Sequence, residues 1–274
     1  MFIRDLRSRP PITVSPFATT DEAIELMWLN DVRHLLVVDD DGLVGLVTDG
    51  DLLESVGMLM QAERECMDAG STEVVLVADV MDAEATCVSP DQLVTDAAHH
   101  MIYGRRTALP VVEDTRLLGI VTELDVLDLF TDPSSAGRPA LCEEPVINHG
   151  SRVLRTVSRN DRVRKVCEKL NGSKSAHVLV VEDGRLVGLV SDWDVRMAIG
   201  RSEVGEWLNL PVTDIMVTGI PTLLPDETLA NAARLMCEEK QVALPIVTRD
   251  RLLMSMITVT DLLRVFAADA VIHA

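Results

Sequence analysis

Apolar residues along this chain follow two spacings. Continuous runs such as Leu35-Leu36-Val37-Val38 and Val178-Leu179-Val180-Val181 have the length and branched content of strands buried on both faces. Other stretches repeat at helical spacing: Ala23, Ile24, Met27 and Trp28; Val94, Ala97, Ala98 and Met101; Val163, Val166, Cys167 and Leu170; Leu229, Ala232, Ala233 and Met236. Turn-forming clusters separate them, among them Asp39-Asp40-Asp41-Gly42, Glu113-Asp114-Thr115 and Glu182-Asp183-Gly184. The first stretch predicts a strand at Ile12–Val14, a helix capped by Thr20 or Asp21, and a strand from Leu35. A strand over Leu43–Val47 follows, then a helix from about Asp51 toward Asp68. This order, β-α-β-β-α, recurs three more times. Its later strands are expected at Thr86–Val88, Ala108–Val112, Leu117–Val121, Val153–Val157, Leu186–Val190, Pro221–Pro225, Leu244–Val247 and Leu252–Ile257.

The repetition is also one of words. Gly45-Leu46-Val47-Thr48-Asp49-Gly50-Asp51 matches Gly119-Ile120-Val121-Thr122-Glu123-Leu124-Asp125 and Gly188-Leu189-Val190-Ser191-Asp192-Trp193-Asp194. A fourth copy, Ser255-Met256-Ile257-Thr258-Val259-Thr260-Asp261, has serine in place of the glycine. The closing aspartates lie 74, 69 and 67 residues apart. A second landmark keeps register: Pro16 to Thr48, Pro90 to Thr122 and Arg159 to Ser191 each span 32 positions, and Pro225 to Thr258 spans 33. Two landmarks held together four times mark an internal repeat. The fold class is therefore α/β, built from four such units. The polar stretch Thr131–Pro139 reads as a boundary between two pairs, 1–132 and 140–274, with a linker at 133–139.

Composition narrows the function. Hydrophobic residues make up 47% of the 274 residues, so a sizeable core is available, and with only 3% aromatics it must be aliphatic. The net charge of −19 disfavours nucleic acid or an anionic membrane surface as a partner, because both are bound through Lys and Arg. No apolar run is long enough to span a membrane. The N-terminal residues lack the apolar core of a secretory signal, and the five scattered cysteines contain no Cys-x-x-Cys pair, so a reducing, cytoplasmic setting is expected.

A hydroxyl at a strand end, followed three residues later by Asp in the first turn of a helix, has two readings. It can be a helix cap, stabilising by roughly 0.5–2 kcal/mol with no ligand. It can also be a nucleotide site, with free N–H groups for phosphate and a carboxylate for the ribose diol. The spacing alone leaves both open.

These motifs resemble the CBS repeat, named after cystathionine β-synthase, whose copies pair into Bateman modules. The resemblance extends to the four-repeat, adenine-nucleotide sensing subunit of AMP-activated kinase. It covers nearly the whole chain and implies two Bateman modules, with the repeats of each pair packed through their sheets. It also implies a regulatory sensor of adenosyl ligands (AMP, ADP, ATP or S-adenosylmethionine) controlling a protein target not named by the sequence, with no required cofactor and self-association as a homodimer. Carried onto this chain, the ribose and phosphate contacts fall to Thr48 with Asp51, Thr122 with Asp125, Ser191 with Asp194, and Thr258 with Asp261. Basic residues before the second strand, reaching the partner repeat's ligand, would be Arg33, His34 and His177; the second and fourth repeats have Thr107-Ala108 and Val242-Ala243 there. The resemblance thus makes the Asp125 and Asp261 sites the better supplied.

Arg105, Arg106, Arg196 and Arg264 are weaker candidates, at helix ends or on helices, where a solvated or ion-paired Arg is the commoner outcome. Ser255 would crowd a ligand lying against the backbone, and Arg159 replaces proline. The acidic balance suits S-adenosylmethionine, with its sulfonium, at least as well as polyphosphates. The methionines read as core filling, His99-His100 as exposed, and Trp193 as either an adenine stack or an interface residue. No catalytic motif is present, and the repeats consume the chain, so an enzyme is not expected. The alternative is a ligand-free scaffold for dimerisation or for docking onto an enzyme or transporter.

Overall fold

The computed structural model describes residues 1–6, 10–52, 74–131, 139–170, 177–201 and 206–272. The chain forms two compact units, Met1–Thr122 and Glu123–Ala274. The predicted extension of the Asp51 helix toward Asp68 lies outside the described residues. So does the predicted linker as far as residue 138; Pro139 then opens a short helix, Pro139–Cys142.

In the first unit, β1 (Thr13–Val14) runs parallel to β2 (His34–Asp39), which pairs antiparallel with β3 (Gly42–Thr48). The helix Thr20–Asn30 connects β1 to β2. Its N-cap is Thr19, one residue earlier than expected: the Thr19 hydroxyl accepts from the Glu22 N–H, and the Glu22 carboxylate accepts from the Thr19 N–H. The second repeat has a hairpin of β4 (Ala108–Glu113) and β5 (Arg116–Thr122). Its expected first strand shrinks to a single parallel bridge, Val88 to Val111.

The second unit repeats the plan. There, β6 (Thr156–Ser158), β7 (His177–Glu182) and β8 (Arg185–Ser191) form one sheet. The strands β9 (Ala243–Val247) and β10 (Leu253–Thr258) form a hairpin, with the Pro221–Pro225 stretch reduced to a bridge at Leu223. The helix Glu123–Leu127 also belongs to this unit, packing on the helices Leu229–Glu238 and Val259–Ile272.

The continuous apolar runs have the predicted cause. In β7, Val178 and Val180 join a cluster with Val157, Val163, Val166, Val190, Val195 and Val212, on the helix side of the sheet. Leu179 points the other way, into a second cluster with Leu189, Ala243, Val247 and Met256 from both repeats. Sheet packs on sheet between these two repeats, and β7 is buried on both faces.

One feature of the pairing is absent from the sequence reading. The segment leading into each repeat docks on the other repeat of its pair. Val77, opening the short helix Val77–Val80, donates its N–H to Ala18 O at 2.8 Å and lies in the core of the first repeat. Ile3 donates to Gln92 O, Val146 to Glu227 O, and Val212 to Asp161 O. All four apolar side chains are buried. Reciprocal docking makes the pair, not the single repeat, the unit that closes a core.

Two apolar positions depart from expectation. Trp28, placed on the buried helix face, is 76% exposed: the buried stripe runs through Thr20, Ala23 and Met27, and Trp28 lies one position, about 100° of helix rotation, beyond it. Met254 is exposed, whereas Met27, Met101, Met236 and Met256 fill the core as expected; Met58 and Met60 lie outside the described residues.

Candidate functional site

The antiparallel ladder puts the first residue of one strand opposite the hydroxyl residue that ends the next. His34 pairs with Thr48, Ala108 with Thr122, His177 with Ser191, and Ala243 with Thr258. The chain then enters a helix, and aspartate arrives one turn in.

Three copies share a geometry. The Asp51 Oδ2 accepts from the Thr48 N–H at 2.8 Å and from the Thr48 hydroxyl at 2.7 Å, while Thr48 Oγ1 accepts from the Asp51 N–H at 3.2 Å. For Ser191 and Asp194 the same distances are 2.7, 2.6 and 3.2 Å. For Thr258 and Asp261 they are 2.9, 2.7 and 3.3 Å. This is a capping box with an acid at the third helical position, and the cap reading is realised in full. It has a chemical consequence. The hydroxyl proton is already given to the carboxylate, so the hydroxyl meets a phosphate oxygen only by turning away from Asp. The second carboxylate oxygen, Oδ1, is not used by the cap. Asp261 Oδ1 lies 3.3 Å from Arg264 Nη1.

The fourth pair, Thr122 with Asp125, spans the division between the units. In its own unit Asp125 lies near Cys237, whose Sγ donates to Leu124 O at 3.7 Å. Burial, with Asp128, Asp125 and Glu238 alongside, pushes that thiol up to about 12, so it is inert as a nucleophile.

The basic residues are engaged. Arg33 Nε lies 2.7 Å from Asp49 Oδ2, in its own repeat. His34 Nε2 lies 2.7 Å from Thr107 Oγ1 of the second repeat, bridging the two pre-strand positions. Burial lowers His34 to about 4, with Asp49 raising it, Arg33 lowering it and Asp51 raising it by smaller amounts, so the ring is neutral near pH 7. His177 is half-buried opposite Ser191. Arg106 is ion-paired to Asp82, Arg105 sits exposed in the left-handed conformation ending its helix, and the Arg196 side chain lies outside the described residues. Arg159 spans 3.6 Å to Glu182 at the surface. Trp193 is half-buried in the first turn of the helix Asp192–Arg201. His99 is half-buried rather than exposed, its ring 5.9 Å from that of Tyr103 and tilted 39° to it, and His100 is exposed as expected.

The motif glycine has a role the sequence reading missed. Leu46 and Asp82 exchange two backbone hydrogen bonds, of 3.1 and 2.8 Å, so the lead-in segment of the second repeat crosses Gly45. A Cβ on Gly45 would lie 2.8 Å from Met81 Sδ and 3.0 Å from Asp82 O. Leu189 and Val217 make the same exchange over Gly188, where a Cβ would lie 3.0 Å from both Met216 Sδ and Val217 O. In the fourth repeat Ser255 faces Gly150, and its buried hydroxyl donates to Ser151 O at 2.8 Å. The segment expected to cross Gly119 includes residues 7–9, outside the described set. The small residue thus makes room for a neighbouring chain segment in every described copy. The signal that could have revealed this is the pairing of Met81 and Met216, ahead of the second and fourth repeats, with Gly150 ahead of the third.

Among the described residues no helix is long and apolar enough to cross a membrane, and the four described cysteines, Cys87, Cys142, Cys167 and Cys237, are free thiols.

Comparison with known proteins bears on this geometry. The family described as "CBS domain" matches residues 3–57, 77–132, 145–201 and 212–268. Protein MJ1225 of Methanocaldococcus jannaschii is 23% identical over 97% of this chain and all of its own length. Its crystal structure, described as that of a proposed archaeal homolog of g-AMPK, matches with a TM-score of 0.81 at 21% identity, covering 97% of this chain and 100% of that one. An uncharacterized conserved protein from Pyrococcus horikoshii matches with a TM-score of 0.64 at 20% identity, over 97% of this chain and 100% of that one. MJ1404 of Methanocaldococcus jannaschii is 25% identical over 97% of this chain, which spans 62% of that relative's length.

Proposed function

Since the chain belongs to the CBS-domain family, with four copies across most of its length, we propose that it is a regulatory sensor of adenosyl ligands. Two Bateman modules, about 1–132 and 140–274, would hold AMP, ADP, ATP or S-adenosylmethionine between paired repeats. The sites would be built on Thr48 and Asp51, Thr122 and Asp125, Ser191 and Asp194, and Thr258 and Asp261. Occupancy would control a protein target in the cytoplasm, with the sensor acting as a homodimer and without catalysis of its own. The observation that carries this reading is the triplicate cap. In the copies on Asp51, Asp194 and Asp261 one carboxylate oxygen holds the helix and the other is left over by the cap, at a strand edge where backbone and hydroxyl groups converge. A carboxylate anchored in this way is suited to accept from both hydroxyls of a ribose.

The test is calorimetric titration and thermal shift with AMP, ADP, ATP, adenosine, 5′-methylthioadenosine and S-adenosylmethionine. A ligand at a hundredfold excess over its Kd stabilises the fold by about 2.7 kcal/mol. The reading expects at least one of them to bind, and Asp→Ala changes at the four motif positions to abolish it. A flat response to all six overturns it. A docking scaffold is then favoured by the exposed apolar side chains Phe17, Trp28, Leu29 and Tyr103 of the first unit.

A further inference from the structure

We infer that the site on Asp51 selects adenosyl ligands whose 5′ substituent is neutral or cationic and discriminates against 5′-phosphates. This rests on the reading of the motif as an adenosyl site and deepens it for one copy. A 5′-phosphate is close to dianionic at neutral pH and needs cations without other commitments. Around Thr48 and Asp51 the described cations are committed. The Arg33 guanidinium faces Asp49 at 2.7 Å, and Arg106 faces Asp82 on the segment that crosses Gly45. The position through which the second repeat would supply charge holds Thr107, and its hydroxyl is occupied by His34 at 2.7 Å. That His34–Thr107 link lies beside the His34–Thr48 ladder pair, so a neutral hydrogen-bonding bridge stands where a phosphate clamp would be. Among the described residues Asp51 has no counter-cation, and its charge faces the incoming ligand. A sulfonium or thioether suits this field, and a phosphate is repelled by it.

The same field separates Asp51 from Asp261, which has Arg264 Nη1 at 3.3 Å from its Oδ1. Among the described residues the fourth copy therefore carries a cation that the first lacks, although the two caps agree to about 0.1 Å in their hydrogen bonds.

The experiment isolates the site with the triple variant Asp125→Ala, Asp194→Ala, Asp261→Ala. AMP, 5′-methylthioadenosine and S-adenosylmethionine are then titrated by calorimetry. The expected result is at least roughly tenfold weaker binding of AMP than of 5′-methylthioadenosine. Equal or tighter AMP binding overturns the inference. Binding by the wild type but none by a folded triple variant also overturns it, while leaving the adenosyl reading standing. No binding by the wild type removes both. Should the triple variant fail to fold, Asp49→Asn and Thr107→Arg in the otherwise native chain give the same answer. The first releases Arg33 and the second installs a cation, so each should shift the ratio of AMP to 5′-methylthioadenosine affinity toward AMP by roughly tenfold. An unchanged ratio in both sinks the proposal.

Discussion

Gly45 and Ser255 hold the same place in the repeat, and each is crossed by the segment that leads into the other repeat of its pair. At Gly45 the crossing segment brings Met81, and there is no room for a Cβ. At Ser255 it brings Gly150, and the serine hydroxyl takes the space and donates to Ser151 O. Gly188 with Met216 repeats the first arrangement. Small faces large twice, and the roles reverse once. The motif residue is therefore sized by a packing partner more than a hundred residues away in the fourth repeat and by one fewer than forty away in the first. Serine in the fourth copy is a matched exchange with Gly150.

The comparison can be broken at the crossings themselves. Gly188→Leu places a branched side chain against Val217 O and Met216, so it should destabilise by about 3 kcal/mol, the upper end of overpacking costs, measured by urea unfolding. A cost under about 0.5 kcal/mol would mean the crossing segment gives way freely. Next in size is Gly150→Met. Its Cβ would sit 2.5 Å from Ser255 Oγ and 2.9 Å from Ile246 Cδ1, a cost of about 1–3 kcal/mol. Adding Ser255→Gly rebuilds the arrangement of the other copies and should recover about 1 kcal/mol or more. Strict additivity of the two changes would refute the exchange.

The caps sharpen the comparison from the other side, because they are alike where the glycine contacts differ. Asp194→Ala and Asp261→Ala should each cost about 1 kcal/mol in the absence of any ligand, as the loss of a helix cap does. A large disparity between them would show that the second carboxylate oxygen, and not the cap, dominates one site. The smallest effect concerns His34. Its folded value of about 4 lies below the ordinary 6.5, so the unfolded chain binds the proton more readily between those values. Stability from this residue is present above about pH 6.5 and is lost as the pH falls toward 4. The fall in Tm over that window should be shallower in His34→Gln than in the wild type; identical slopes would show that His34 is accessible and titrates normally.

Much of this was legible beforehand. Ala97, Ala98 and Met101 are buried on the face their spacing indicated, as are Ala232, Ala233 and Met236. The hydroxyl–aspartate pairs form the helix caps that three-residue spacing permits. Trp28 was misjudged because spacing places it at the margin of the apolar stripe, and only packing shows how wide the buried face is. Arg33 and His34 were expected to serve a ligand in the neighbouring repeat. In the structure Arg33 lies against Asp49 and His34 meets Thr107, 73 residues away, and no rule of spacing shows that a cation has a carboxylate beside it.

What the sequence determined by itself was whatever closes within a few residues: four β-α-β-β-α units, their helix faces and the capping boxes on Asp51, Asp194 and Asp261. Backbone geometry alone brings those atoms together, so the residue types and their spacing suffice. Only the tertiary structure decided which segment crosses each motif glycine, which carboxylate holds each arginine, and that His34 is neutral. Those outcomes depend on chain segments meeting across a pair of repeats, and on burial that exists only once both cores have closed.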